Sequence, residues 1–461
     1  MTILLTIALF VSTHSAKGAL VFLIFKIGRR IQVTDYLDFT LIKNIHDLWV
    51  GGSKGMALLA AIFSLIWPYI VLILMFICFI FPLSILSVKK REKILTIIEW
   101  TAKFTIFDFF LVIMLLLDFH FLIPIPVVPQ SLTKEKTIVD IVVEEKFGYI
   151  SLIVGTFILL ILSHIIIHLH RSLDSHPDEN KGEQAEGCKA VISLTKINMK
   201  YLSDKLFKII ISIIFVLALG LFIAGSIPFA FSYYYEGLAG YLLDVFQIPI
   251  NRELGVMIIE FVLSEAYEYE NDALCTQIVY FATVYIIPLA CLFFAGLLWF
   301  VPMPRKAQKV LYSVAEILNA WSCADVFIIA LASTLLGIEN FTEFVVNDKF
   351  GKYQPLVKKY FSKILEGNDT LFKVKPSFKF GFWLFLVGEI LFLITSFTIL
   401  KVSRNVLNER LPENVKEYLK IKNDEINRVS NINDFSSRTT TMDNESTSNK
   451  ANNKKNLLAE D

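Results

Sequence analysis

Glu389, Asp325 and Asp108 stand within or at the edges of long apolar runs. A carboxylate there is costly unless it is paired, protonated or functional. Glu389 lies about nine residues from the nearer end of the apolar segment 380–400, roughly 13 Å deep at 1.5 Å per residue. It suits an ion or lipid-headgroup site; the plainer alternative is an interhelical hydrogen bond. Asp108 and Asp325 follow Thr105 and Ser322 by three residues, just ahead of apolar runs. That S/T-x-x-D spacing suits a helix N-cap and its dipole, and equally an acidic site inside a bundle. Asp118 and His120 precede Pro124 and Pro126, and read as a proton-sensitive pair or as a polar helix end. His164, His168 and His170 place two imidazoles four residues apart, a spacing that can hold a metal. No second cluster supports them, so they read as interfacial histidines and no metal site is assigned.

No Gly-rich phosphate loop, H-E-x-x-H or C-x-x-C occurs, and the five cysteines are scattered. Nothing points to an enzyme or to a cofactor.

These side chains need elements that can hold them in an apolar medium. Of 461 residues, 55% are hydrophobic and only 19% charged, and mean hydropathy is +0.59. A net charge of +1 gives no field for nucleic acid. Residues 56–88, 209–235 and 273–304 carry no charge at all. Each exceeds the roughly 20 residues that a spanning helix needs. This composition excludes a soluble enzyme and a disordered chain, and predicts an all-α integral membrane protein. About eight spans are expected, near 3–25, 57–87, 105–127, 147–169, 207–233, 278–301, 322–342 and 380–400. Residues 3–25 fit a cleaved signal peptide or a retained helix, and the internal repeat favours the helix. The aromatic run Tyr233–Tyr235 reads as an interfacial belt.

The second half echoes the first. Pro68 and Pro82 are 14 residues apart, as are Pro288 and Pro302. Residues 104–110 parallel Trp321-Ser322-Cys323-Ala324-Asp325-Val326-Phe327. Gly148 and Gly155 recur as Gly381 and Gly388, and over the 18 residues from Lys146 and Lys379 eight positions are identical. The glycines read as close-packing positions. The chain is therefore expected to hold two tandem four-helix units of tetraspanin-like shape, at 1–170 and 206–402. A cytoplasmic linker at 171–205 and a disordered cytoplasmic tail at 403–461 complete it. Segments 92–103 and 305–320 have helical polar and apolar faces, and are expected to lie at the membrane surface.

Basic residues in the loops at 89–103 and 305–309 place those loops in the cytoplasm. The acidic stretch 236–272 then faces outward, as do the sequons at Asn340 and Asn368.

Leu48-Trp49-Val50-Gly51-Gly52, Phe63-Ser64-Leu65-Ile66-Trp67-Pro68 and above all Trp321–Phe327 resemble motifs of the paraquat-inducible protein A (PqiA/LetA) family. The resemblance spans nearly all of residues 1–402. It implies two tandem four-helix units and a part in lipid traffic or membrane homeostasis, with membrane lipids and a lipid-carrying protein as partners. Two departures stand out. A lysine that the family often carries three residues after the proline is replaced by Val71 and Cys291. One that it often carries twelve residues after the signature aspartate is replaced by His120 and Gly337. The alternatives are a non-transporting tetraspanin-like scaffold and, more distantly, a metal-ion transporter. The sequons and the Asn-rich tail point to an endomembrane or plasma membrane of a eukaryote-like cell.

Overall fold

The computed structural model describes residues 2–174 and 205–408, apart from positions 28, 82–84, 120–121, 125–137, 246, 248, 258, 260–269, 352–353, 362–364 and 366–369. The first half runs α1 (Thr2–Ser15), β1 (Ala19–Ile27), β2 (Arg29–Phe39), α2 (Leu41–Val50), α3 (Lys54–Ala60) and α4 (Trp67–Ile80). It continues with α5 (Val88–Thr101), α6 (Phe107–Phe119), β3 (Leu122–Pro124), β4 (Ile138–Glu145) and α7 (Phe147–Asp174). The second half runs α8 (Lys205–Ser226), β5 (Phe229–Glu236), α9 (Gly237–Val245), β6 (Asn251–Gly255), α10 (Glu270–Phe281) and α11 (Ile287–Phe300). It ends with α12 (Arg305–Trp321), α13 (Ala324–Phe350), α14 (Gln354–Phe361), β7 (Lys373–Phe378) and α15 (Phe380–Asn408).

Among the described residues, six helical stretches are long and apolar enough to cross a membrane: Lys54–Ile80, Phe147–His170, Ile209–Ser226, Leu274–Phe300, Lys306–Val346 and Phe380–Arg404. The protein is mostly helical and is a multi-pass membrane protein. α1 and α6 are shorter than the spans expected there. α6 is extended backwards by a 3-10 segment, Ala102–Ile106, which joins it to α5.

Pro68 and Pro288 sit at the first turns of α4 and α11. A proline ring lacks the N–H and collides with the carbonyl one turn back. In both places a wider π turn precedes it, Ala61–Ile66 and Ala282–Ile286, which accommodates that break in the ladder.

Three expected spans are cut short, and in the one expected near 105–127 α6 ends at Phe119 and Leu122–Pro124 is β3. The helix predicted over 3–25 stops at Ser15, and Ala19–Ile27 is a strand instead. Gly18 and the β-branched and aromatic run behind it favour extended backbone. Likewise α8 ends at Ser226 before Pro228, and Phe229–Glu236 is β5. The tyrosines expected as a belt therefore alternate, with Tyr233 and Tyr235 buried and Tyr234 exposed. At the other end α15 continues to Asn408, past the expected start of the tail; residues 409–461 lie outside the described residues.

The described strands form two antiparallel sheets, of order β2-β1-β4-β3 and β6-β5-β7. Each ties the chain leaving one helix to the chain entering another. The Lys146 N–H donates to the Gly18 carbonyl at 2.8 Å, and the Lys379 N–H donates to that of Ala230 at 2.8 Å. Gly148 and Gly381 follow, where a Cβ would lie 2.7 Å from the Lys17 oxygen and 2.6 Å from the Pro228 oxygen. Only glycine fits there. Gly388 is equally tight, 2.7 Å from the Phe222 nitrogen, whereas Gly155 meets only side chains at 3.5 Å.

The largest core cluster draws on both halves. At its centre α6 packs on α13, and the rings of Phe110, Phe327 and Tyr280 meet edge to face.

Candidate functional site

Lys103 belongs to the 3-10 segment of the first half, and Asp325 to the first turn of α13 in the second. Lys103 Nζ lies 2.7 Å from Asp325 Oδ2 and donates to the Ser322 carbonyl at 3.0 Å. Asp325 Oδ1 accepts the Val326 N–H at 2.9 Å. The chain between α12 and α13 is non-helical at Ser322, which frees the carbonyl that Lys103 uses. The expected cap by a Ser322 hydroxyl does not form, since that hydroxyl is buried without a partner. Thr105 bonds the Ala102 carbonyl instead.

Glu389, on α15, joins this pair. It is 2% exposed, neither of its carboxyl oxygens has a hydrogen-bond partner, and it interacts electrostatically with both Asp325 and Lys103. One ammonium thus faces two carboxylates in a buried place. Removing one member of such a set leaves another uncompensated, which is why these groups must be considered together. Cys291 and Cys323 lie within reach of the Lys103 charge. Cys291 occupies the position where the family resemblance implies a lysine, so Lys103 brings a cation close to that place from the other half.

An apolar groove leads to this cluster between α5, α12 and α15. It consists of two adjoining cavities of about 420 and 380 Å3 that share Trp100, Thr101, Asn319 and Phe397. Trp100 and Phe397 meet edge to face with centroids 5.0 Å apart. Lys103 and Asp325 line the inner end. At the other end Tyr312 donates to Glu316 at 2.8 Å, and Arg404 bonds both. From Ile394 to Arg404 along α15 the groove spans roughly 15 Å.

The segments expected to lie on the membrane surface, 92–103 and 305–320, bury some of their polar residues. Glu99, Lys103 and Glu316 are buried alongside Ile98, while Ile97, Val310 and Ile317 are exposed. Their partners explain that burial: Lys103 has Asp325, Glu316 has Arg404, and Glu99 has His164 at 3.4 Å.

Among the sequence candidates, the structure brings Asp325 and Glu389 together. Asp108 is buried elsewhere, at the start of α6. Asp118 falls in the last turn of α6 and its side chain lies outside the described residues, as does all of His120. Trp321 stacks on Phe157 of the first half at 5.5 Å. Asn340 is exposed on α13, but the Thr342 hydroxyl of its sequon is buried against the Ile338 and Glu339 carbonyls. Asn368 lies outside the described residues. No group of three metal-ligating side chains occurs among the described residues. Gly51-Gly52-Ser53-Lys54-Gly55 has the spacing of a nucleophile elbow, but Ser53 is buried and donates to the Gly337 carbonyl. Lys103 was the residue missed. Its place directly before the Phe104–Phe110 block was the available signal.

Residues 266–353 match the family model of paraquat-inducible protein A. The matched stretch carries Pro288, the Trp321–Phe327 block and Asp325, and it supports the paraquat-inducible protein A assignment. No curated protein and no solved structure matches the chain.

Proposed function

We propose that this paraquat-inducible protein A relative handles membrane lipid, taking an amphiphile into the groove between α5, α12 and α15. The carrying observation is the buried Lys103–Asp325 pair, with Glu389 in electrostatic reach of both, at the inner end of an apolar groove about one acyl-chain segment long. The apolar walls suit chains, and the charged ends suit headgroups. Because Lys103 comes from one half and the two carboxylates from the other, a change of charge in the cluster would bias how the halves sit together. The protein is read as two tandem four-helix units in which α1, α4, α6 and α7 correspond to α8, α11, α13 and α15. Paired π turns before Pro68 and Pro288, and paired sheets that tie Lys146 and Lys379, support that reading. An even number of helices per unit makes the units parallel in the membrane. Both termini are cytoplasmic and the sheets face outward, in a eukaryote-like endomembrane or plasma membrane. A lipid-carrying partner protein and the absence of enzymatic activity belong to the same reading.

The rival is a tetraspanin-like scaffold whose cluster only cross-links helices. Glu389 argues against it, because its oxygens make no hydrogen bond that would hold two helices. The test is phospholipid movement in liposomes by the native chain and by Thr101→Trp, which places an indole in both cavities. Movement by the native chain that is lost in Thr101→Trp is expected. A native chain that moves no lipid under any gradient or partner tried, yet still gathers its partners, would establish the scaffold.

A further inference from the structure

A second buried site lies in the first half, away from the groove. α1, α2, α6 and α7 converge on a small cavity lined by Thr13, Asn44, Asp108, Gly148 and Tyr149 among others. Its volume is about 30 Å3, and a single water needs roughly 10–15 Å3 on this measure. Asp108 is 7% exposed and Asn44 5%. The Oδ1 atom of each is fully buried and has no hydrogen-bond partner. Two oxygen acceptors, one on a carboxylate, thus line one small space, and no described donor serves either.

Three occupants can be weighed by what they satisfy. A water would donate to both oxygens but leave an ionised Asp108 uncompensated, which costs several kcal/mol in a buried place. A proton on Asp108 would remove the charge and make the carboxyl a donor that can serve the Asn44 oxygen, a neutral pair that binds no alkali cation and that sodium binding therefore tells apart. A hard cation satisfies both oxygens and balances the charge at once. A single carboxylate balances one positive charge, and no cluster of three acidic, His or Cys ligands occurs among the described residues. A divalent or transition metal therefore has no support here.

The corresponding aspartate in the other half sharpens the contrast. Asp325 has the Lys103 ammonium at 2.7 Å, whereas no cation among the described residues pairs with Asp108. We propose that Asp108 and Asn44 bind a small alkali cation, of sodium size, which does for the first half what Lys103 does for the second. The site ties α6 to α2, the helix that precedes the Gly51–Gly55 turn. Occupancy should therefore stabilise the packing of the first half.

The test uses the full chain in phosphatidylcholine nanodiscs. Thermal unfolding is followed in sodium, lithium, potassium and choline chloride at one ionic strength, alongside equilibrium binding of radioactive sodium. The expected result is a saturable rise of the midpoint with sodium and none with choline. Asp108→Asn and Asn44→Leu should each lower sodium affinity, Asp108→Asn by at least about tenfold, equivalent to 1.4 kcal/mol. Equal midpoints in sodium and choline, or sodium binding unchanged in both variants, would overturn the proposal. Should Asp108→Asn fail to fold, Asn44→Leu and direct binding to the native protein decide, and a native protein that binds no alkali cation refutes it. No lipid movement is measured, so this outcome is separable from that of the lipid reading.

Discussion

Phe110 and Phe327 stand at matching places in the two halves, and their rings meet edge to face with centroids 5.6 Å apart at 73°. Each is the sixth residue after the first residue of its aromatic block, Phe104 or Trp321. Two matching residues that touch each other lie at the join between the halves, and both are fully buried. Truncating either to alanine should cost about 3–5 kcal/mol. Beyond those single costs, the pair should show a coupling of about 0.5–1.5 kcal/mol in a double-mutant cycle of unfolding. Strict additivity would mean that the rings do not pack together.

Lys103 and Asp325 form the second join. Lys103→Met should destabilise the protein by about 3–5 kcal/mol, because it strands the buried carboxylate of Asp325, and Asp325→Leu should cost less, because Glu389 still balances the Lys103 charge. Lys103→Met combined with Asp325→Leu should cost less than the sum of the two single changes, as both charges leave together. Denaturant unfolding of the four proteins in detergent measures this.

The glycines separate by what surrounds them. A methyl group on Gly381 would sit 2.6 Å from the Pro228 carbonyl oxygen, backbone that cannot swing aside, whereas Gly220 has nothing within 4 Å. Gly381→Ala should lower the melting temperature clearly. Gly220→Ala, on the exposed side of α8, should be neutral or raise stability by up to about 1 kcal/mol from helix propensity. Thermal unfolding followed by size-exclusion chromatography distinguishes them.

Glycosidase digestion tests the orientation. One glycan is expected, lost in Asn368→Gln and retained in Asn340→Gln, whose sequon hydroxyl is packed inside α13. A glycan on Asn444 would place the C-terminal tail outside and reverse the topology.

Much of the helical framework was legible because membrane spans are written in composition. Charge-free runs and paired prolines located α4 and α11 directly, and Trp321–Phe327 located the turn into α13. The sheets were not legible. Residues 19–27 are as apolar as α1 beside them, residues 229–235 prolong the charge-free run of α8, and short runs of this kind carry no period that separates strand from helix. Their strand character depends on pairing with residues more than a hundred positions away, as with Tyr233 and Pro376. Glu389 and Asp325 could be singled out because carboxylates are conspicuous among apolar neighbours. Lys103 stands among the polar residues of an amphipathic segment, with its place before the Phe104–Phe110 block as the one signal, and the packing of its 3-10 segment against α12 and α13 turns it inward.

The most direct measurement is phospholipid movement in proteoliposomes across a range of pH, for the native chain and for Glu389→Gln. Gln keeps the size and hydrogen-bonding capacity of Glu389 but cannot exchange a proton. The native chain should move lipid with a rate that depends on pH. Glu389→Gln should fold and insert normally yet lose the movement or its pH dependence. Equal rates and equal pH profiles for the two proteins would contradict a functional role for the Lys103–Asp325–Glu389 cluster.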